Sequence, residues 1–244
     1  MVHRIAAEGF ASSAEAYERG RPDYPPEAID WLRERLDLGP DRQVVDLAAG
    51  TGKLSRSLAA TGAEVIAVEP LERMRALIEA PIRSIEGTAE RIPLPDASAD
   101  AVTVAQAFHW FDGEPALAEI HRVMRSGGHL ALVWNVRLLD DPGQAGVEEL
   151  IAPFTKEIPR HRSGDWRRPI EASELFGPLE ERTFPNEQVL DADGLADRVG
   201  STSAIAALDS RDRDALLERV RALAADGPVT LRYRCEIQLA RREP

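Results

Sequence analysis

A short apolar run that passes directly into a glycine-containing turn constrains the fold of this chain more than any other feature. Residues 44–52 read Val-Val-Asp-Leu-Ala-Ala-Gly-Thr-Gly, and a helical pattern follows at residues 54–60. A strand, a tight turn and a helix in this order bring the backbone close to a nucleoside at the edge of a parallel sheet. The run therefore predicts an α/β fold with a nucleotide-type site. On the alternative interpretation the same glycines form only a structural turn.

Strand-like and helical patterns alternate through the first 135 residues, which is typical of a parallel sheet covered by helices on both faces. The strands are predicted at residues 43–48, 64–69, 82–86, 99–106 and 129–135. The helices are predicted at residues 26–38, 54–60, 71–80 and 115–124, with two more at 147–154 and 211–224. A last strand is predicted at residues 229–239. The fold class is therefore α/β.

Composition narrows the classes of partner. The 42 acidic and 30 basic residues give a formal net charge of -12, which works against a general affinity for nucleic acid. No window approaches eighteen consecutive apolar residues, and the first thirty residues lack the pattern of a secretory signal. Cys235 is the single cysteine, and the five histidines are scattered without metal-ligand spacing. We expect a cytoplasmic protein with no nucleic-acid, membrane or metal partner; its oligomeric state is not indicated.

The spacing after the first strand separates the known types of nucleotide-binding turn. A phosphate-binding P-loop needs glycine five residues before Gly52 and serine or threonine after Lys53, where this chain has Leu47 and Leu54. This requirement excludes the P-loop. A dinucleotide-binding turn needs three glycines in the pattern G-x-G-x-x-G, which the sequence lacks, so that interpretation is weakened.

The remaining pattern resembles motif I of the class I S-adenosylmethionine-dependent methyltransferases. Asp46, Gly50 and Gly52 fall on the motif, and Ala48 stands where the family usually has glycine. The departure is mild if Ala48 keeps a negative φ, because alanine then adds only a methyl group. The resemblance implies a doubly wound, mostly parallel seven-stranded sheet with an antiparallel last strand. It also implies S-adenosylmethionine (AdoMet) as cofactor, with Asp46, Ala48, Gly50 and Gly52 in its site.

Further residues of the implied cofactor site follow the next strands. Glu69 closes the second predicted strand, 17 residues beyond Gly52, where an acidic side chain can accept hydrogen bonds from both ribose hydroxyls. In the loop at residues 87–95, the resemblance implies that Ala89 and Glu90 border the adenine. Gln106 and Ala107 end the fourth strand, at the rim where open α/β sheets bind ligands. A strand-end carboxylate exposed to solvent is the alternative for Glu69.

Aromatic residues are concentrated directly after this strand, in the sequence Phe108-His109-Trp110-Phe111. The rings either wall the methyl-donor pocket and contact a sulfonium, or pack beneath the following helix. His109 is the candidate catalytic base because the unperturbed pKa of histidine is near neutrality. The alternative for His109 is a hydrogen-bonded structural role.

The resemblance covers residues 10–135 and includes an N-terminal lid like that of small-molecule methyltransferases related to the trans-aconitate and ubiquinone-pathway enzymes. It implies that Tyr17 and Arg21 contact the cofactor. The residues assigned to the substrate side are Phe10, Tyr24, Trp110, Asn135, Arg137 and Trp166.

The length of 244 residues fits one domain with insertions. We divide it into a lid with the first helix (1–40), a cofactor-binding core (41–136), a substrate-side insertion (137–182) and C-terminal strands and a helix that complete the domain (183–244). The expected function is methyl transfer to a small molecule. Two alternatives stay open, namely a nicotinamide-dependent oxidoreductase and a non-catalytic AdoMet-binding module.

Overall fold

The fold is built on one mixed β-sheet, seen in a computed structural model that describes residues 14–155 and 161–244. Its strands are β1 (Gln43–Leu47), β2 (Glu64–Val68), β3 (Arg83–Ile85), β4 (Ala99–Ala105), β5 (Met124–Arg137), β6 (Glu180–Leu190) and β7 (Val229–Arg241). The order is β3-β2-β1-β4-β5-β7-β6, and β7 runs antiparallel to both of its neighbours. The predicted seven-stranded, mostly parallel sheet with an antiparallel last strand is confirmed.

Helices cover both faces of this sheet. They are α1 (Ala14–Gly20), α2 (Pro26–Arg35), α3 (Lys53–Ala59), α4 (Glu72–Arg75), α5 (Gly113–Val123), α6 (Pro142–Ile151), α7 (Arg168–Glu171), α8 (Ala192–Gly200), α9 (Ser203–Ala206) and α10 (Ser210–Ala222). Short 3₁₀ turns lie at Phe108–Trp110, Ala152–Phe154, His161–Ser163 and Asp165–Arg167.

The two covered faces of strand β1 explain why its sequence is apolar at successive positions. Neighbouring side chains of a strand point to opposite faces of the sheet. Val44 packs in the cluster that contains Leu32 of α2, whereas Val45 packs in the cluster that contains Leu117 of α5. Because both faces are covered, the apolar residues are consecutive rather than alternating, and the one buried polar residue of the strand, Asp46, is held by hydrogen bonds. This arrangement places the carboxyl end of β1 at a rim between two helical layers.

A third apolar cluster joins the end of the chain to β7. It contains Leu195 and Val199 of α8, Val220 of α10, and Tyr233 of β7. Helix α1 rests on α8, where an added Cβ on Gly20 would lie 2.4 Å from the backbone nitrogen of Arg198. The C-terminal helices therefore support the segment that carries Tyr17.

Several predicted boundaries were wrong. The helix predicted at 71–80 is helical only over Glu72–Arg75, and the amides of Leu77 and Ile78 instead bond carbonyls three residues back in tight turns. The helix predicted at 147–154 begins earlier, at Pro142, where Asp141 caps it by accepting from Gln144 N.

The sequence analysis gives no bounds for β6 or α8. Strand β6 is an edge strand, and its largely exposed polar residues and Pro185 hide the strand pattern.

Within residues 14–155 and 161–244, no helix combines the length and the apolar character needed to cross a membrane. Over the same residues, no group of three or more His, Cys, Asp or Glu side chains is arranged to hold a metal ion.

Candidate functional site

The turn that leaves β1 has a left-handed backbone at three positions. Gly50 has φ +59° and Gly52 has φ +82°, and glycine adopts such angles without a steric penalty. Ala48 also has a positive φ, of 55°. Ala48 therefore lacks the negative φ that would make an alanine harmless at this position. Its Cβ is held against the local carbonyl, and the strain lies directly in the cavity wall.

Replacing Ala48 with glycine is expected to stabilise the protein by about 0.5–1 kcal/mol. Relief of a left-handed alanine contributes about 1–2 kcal/mol, and the greater freedom of glycine in the unfolded chain offsets about 0.4–1 kcal/mol of it. Denaturant unfolding measures the difference. Ala60→Gly is the matched control, because Ala60 has φ -63° and gains nothing from glycine. A loss of stability in Ala48→Gly as large as in Ala60→Gly would contradict this interpretation.

A cavity opens beside this turn, with an empty volume of about 780 Å³ that includes space open to solvent. Most residues assigned to the cofactor line it, as does Trp110 from the substrate-side set. The lining members of the cofactor set are Tyr17, Ala48, Gly50, Glu69, Ala89, Glu90, Gln106 and Ala107. The structure therefore brings together eight cofactor residues that are spread over ninety positions of sequence.

Glu69 holds the turn and faces the cavity at the same time. It is 4% exposed, and its two carboxylate oxygens accept from Gly50 N at 2.9 Å and Leu71 N at 2.8 Å. Burial raises the pKa of Glu69, and these two backbone amides oppose the rise. Each oxygen keeps a second lone pair, so the carboxylate can accept two further hydrogen bonds from a ligand.

Two of the motif residues lie outside the cavity wall. Asp46 is fully buried, and it accepts from Ser55 Oγ at 2.5 Å and Thr103 Oγ1 at 3.0 Å. Burial raises the pKa of Asp46 to about 6. A Cβ on Gly52 would lie 3.1 Å from the Ile78 side chain. Asp46 and Gly52 therefore shape the turn without lining the cavity, and their contact with the cofactor stays a prediction.

A second cavity, of about 500 Å³, lies on the other side of Tyr17. It is lined by Arg21 from the cofactor set and by Tyr24 and Asn135 from the substrate-side set. Burial raises the pKa of Tyr24 well above its ordinary value, so its phenol stays protonated. The two cavities share four lining residues, namely Tyr17, Ala48, Ala105 and Gln106.

His109 lies outside the walls of both cavities. Its ring packs 5.5 Å from that of Trp134, and its Nδ1 atom has no hydrogen-bond partner among the described residues. Burial, with a smaller contribution from the charge of His161, lowers the pKa of His109 to about 4. The premise for a base that titrates near neutrality is therefore wrong.

Two of the remaining residues assigned to the substrate side lie away from the cavities. Trp166 is 5% exposed and belongs to the core, with its ring 5.2 Å from that of Trp134. Arg137 pairs with Glu148. Neither Trp166 nor Arg137 lines the two cavities. Phe10 lies outside the described residues.

Arg198 is a site residue that the sequence analysis missed. It lines the second cavity and is only 8% exposed. The signal was present, because Leu195, Arg198 and Val199 fall on one face of a helical pattern, where an arginine interrupts an apolar stripe.

Comparisons with known proteins agree with this geometry. Residues 45–132 match the family described as methyltransferase domain. An uncharacterized methyltransferase of Mycobacterium tuberculosis (strain H37Rv) is 41% identical over 222 residues, which span 90% of this chain and 86% of the relative. The solved structure of a putative type II methyltransferase from Anaeromyxobacter dehalogenans matches with a TM-score of 0.67 and 27% identity, over 91% of this chain and 97% of the other.

A geranyl diphosphate methyltransferase solved in complex with AdoMet shares the fold, with a TM-score of 0.50 and 18% identity over 89% of this chain and 85% of the other. The mycobacterial relative matches over most of both chains, and the sheet has the strand order that the motif I resemblance implies. The chain belongs to the class I S-adenosylmethionine-dependent methyltransferase family.

Proposed function

We propose that this methyltransferase binds AdoMet in the larger cavity and transfers its methyl group to a small molecule in the second cavity. The observation that carries the proposal is the shared wall formed by Tyr17, Ala48, Ala105 and Gln106. Two ligands that occupy the cavities would meet at this wall, where a methyl group could pass between them. Family membership supports this donor over a nicotinamide cofactor.

The residues around the larger cavity suit the parts of the donor. Glu69 would accept hydrogen bonds from the ribose hydroxyls through its free lone pairs. Gly50 leaves the space above its Cα open, since an added Cβ would meet nothing nearer than the Tyr17 ring at 4.0 Å. Ala89 and Glu90 lie in the same wall and would border the adenine. Arg21, in the second cavity, would bind the donor's carboxylate.

Methyl transfer requires little of the protein beyond alignment of the donor and the acceptor. AdoMet supplies an electrophilic methyl group on a sulfonium sulfur. The acceptor atom must lie in line with the bond that breaks, in a site that excludes water. His109 lines neither cavity, and Tyr24 is protonated at neutral pH, so neither side chain is placed to act as a base. We therefore propose that alignment and desolvation carry the reaction.

Calorimetry with AdoMet, S-adenosylhomocysteine (AdoHcy) and NADH tests the donor. We expect AdoMet and AdoHcy to bind with dissociation constants between about 1 μM and 1 mM, the usual range for enzyme substrates, and NADH not to bind. Absence of binding by both AdoMet and AdoHcy would overturn the proposal.

Transfer of radiolabel from AdoMet to a library of small molecules then tests catalysis. Labelled product is the expected result. A protein that binds AdoMet but labels no acceptor would instead be a non-catalytic binding module.

A further inference from the structure

Two arginines line the second cavity, and neither has an acidic partner within residues 14–155 and 161–244. Arg21 follows α1, and Arg198 lies on α8. Among the described residues, neither guanidinium lies within ion-pair distance of an Asp or Glu carboxylate. Arg21 donates to Ser201 Oγ and to the Ser201 carbonyl, at 3.1 Å and 2.9 Å, and both acceptors are neutral. Buried charges without a counter-ion are costly, so this pair calls for an explanation.

The other cations near the cavity already have partners. Lys53 lies 2.9 Å from Asp23 and 3.7 Å from Glu18, and Arg137 pairs with Glu148. Burial, with smaller contributions from the charges of Arg198 and Arg137, lowers the pKa of Arg21 to about 10. The cavity is therefore electropositive at Arg21 and Arg198 in particular.

A chain of hydrogen bonds fixes the orientation of Arg198. Its Nε donates to the Tyr233 hydroxyl at 3.0 Å, which in turn donates to Gln188 Oε1 at 3.4 Å. The Gln188 side-chain amide donates to the Gly20 carbonyl at 3.1 Å. The two terminal nitrogens of Arg198 have no hydrogen-bond partner among the described residues. They form the planar edge of a guanidinium, which matches a carboxylate through two parallel hydrogen bonds.

The donor accounts for one of the two arginines. AdoMet carries one carboxylate, which the proposed function places on Arg21, and its sulfonium and ammonium groups add positive charge to the site. The Arg198 guanidinium is then left without an anion among the described residues. Its planar edge matches a planar carboxylate through two parallel hydrogen bonds.

We propose that the methyl acceptor is a small organic acid whose carboxylate is bound by the terminal nitrogens of Arg198. This inference rests on the proposed function, because it uses the donor to account for Arg21. It assigns the carboxylate a binding role and does not depend on which atom of the acid receives the methyl group.

The test compares organic acids with their neutral amides on AdoHcy-loaded protein. Ligand-observed NMR would measure binding of benzoate, cinnamate and succinate against benzamide, cinnamamide and succinamide, with phenyl phosphate as a further probe. We expect at least one acid to bind at least tenfold more tightly than its amide, because hydrogen bonds to a charged pair are lost in the amide. Equal binding of acids and amides, binding of phenyl phosphate alone, or no binding of any acid would overturn the proposal.

Substitutions of Arg198 test whether this residue binds the acid. Arg198→Gln should weaken acid binding about ten- to hundredfold, and Arg198→Lys should also weaken it because lysine lacks the planar edge. Arg198→Lys keeps the charge and serves if Arg198→Gln does not fold. Arg168→Gln is the matched control, since Arg168 lines neither cavity and its side chain is 81% exposed, paired with Asp165. Unchanged acid binding in both Arg198 variants would overturn the proposal.

A ratio of two ligand affinities distinguishes the role of Arg21 from that of Arg198. Binding of AdoHcy relative to 5′-methylthioadenosine, which lacks the amino-acid portion, should fall in Arg21→Gln and stay constant in Arg198→Gln. A fall in Arg198→Gln would place the donor's carboxylate on Arg198 and overturn the acceptor assignment.

The acids are also titrated without AdoHcy. If AdoHcy does not bind, acid binding that depends on Arg198 would uphold the anion site while the proposed function fails. If AdoHcy binds and no acid does, only this inference fails.

Discussion

Replacing Glu69 with alanine is expected to weaken AdoHcy binding about 100-fold. The carboxylate is 4% exposed and lies in the wall of the larger cavity, with a free lone pair on each oxygen. Two charge-assisted hydrogen bonds to ribose hydroxyls would contribute about 1.5–3 kcal/mol each, part of which water recovers in the variant. A net loss of about 3 kcal/mol corresponds to about 100-fold in affinity, and calorimetry measures it.

Glu69 also accepts from the amides of Gly50 and Leu71, so its loss could act through the turn instead. The ratio of adenosine to 2′,3′-dideoxyadenosine affinity distinguishes the two effects. If Glu69 binds the hydroxyls, the parent protein favours adenosine and Glu69→Ala does not. If the turn alone is loosened, both nucleosides weaken and the ratio is unchanged.

Glu86→Ala is the matched control for this prediction. The Glu86 side chain is 76% exposed and pairs with Arg75, whose guanidinium also donates to the Glu69 carbonyl at 2.8 Å. Removing this surface carboxylate leaves the Glu69 side chain in place. AdoHcy binding in Glu86→Ala should therefore equal that of the parent protein, and a comparable loss there would contradict a specific role for Glu69.

The lining of the larger cavity was predictable because its geometry is local. In a parallel sheet, each strand delivers its next residues to the same rim, so a position just after a strand implies a position in the cavity. Gly50, Glu69 and Gln106 each follow this rule. The conformation of Ala48 was not predictable in the same way, because spacing does not report the sign of φ.

His109 shows how the rule fails within a single turn. It follows Gln106 by three residues and lies in the 3₁₀ turn Phe108–Trp110. Successive side chains of a 3₁₀ helix are about 120° apart. Trp110 consequently faces the larger cavity while His109 faces the core against Trp134. The position in the sequence identified the correct turn. The packing of that turn determines which of its side chains faces the cavity.

The acceptor side depends on contacts that no local pattern contains. Arg21 and Arg198 are 177 positions apart and meet because α1 rests on α8. Helix α8 and the neighbouring edge strand β6 are among the elements that have no predicted bounds. The polar, partly exposed residues of β6 mask its periodicity. The apolar stripe that Arg198 interrupts indicates its burial, but the cavity that it lines became visible only in the fold, because its neighbours are distant in sequence.

The second large effect is expected from Gly20→Ala, which should weaken AdoHcy binding ten- to hundredfold. An ideal Cβ at Gly20 would lie 2.4 Å from the Arg198 nitrogen and 2.5 Å from the Asp197 carbonyl carbon. Both atoms belong to the backbone of α8, so no side-chain rotation relieves the overlap. Overpacking of this kind costs about 1–3 kcal/mol or more, and the least costly response is for α1 to move away from α8.

This movement would carry Tyr17 out of the wall shared by the two cavities and would break the bonds from Arg21 to Ser201. Donor and acceptor binding would therefore weaken together. Limited trypsin digestion measures the displacement directly, because the backbone after Arg19 becomes easier to cleave when α1 leaves α8. Trypsin does not cleave the bond between Arg21 and Pro22. We expect faster cleavage after Arg19 in Gly20→Ala, whereas cleavage elsewhere in the chain stays at the parent rate.

Gly39→Ala is the matched control, because an added Cβ at Gly39 meets no atom within 4 Å. It introduces the same methyl group in open space and should leave AdoHcy affinity and trypsin cleavage unchanged. If Gly20→Ala also binds AdoHcy like the parent protein while α1 is cleaved faster, Tyr17 and Arg21 do not contact the donor. This result would show that α1 is not part of the donor site. The proposed contact between Glu69 and the ribose would be unaffected, because the substitution leaves the sheet and Glu69 unchanged.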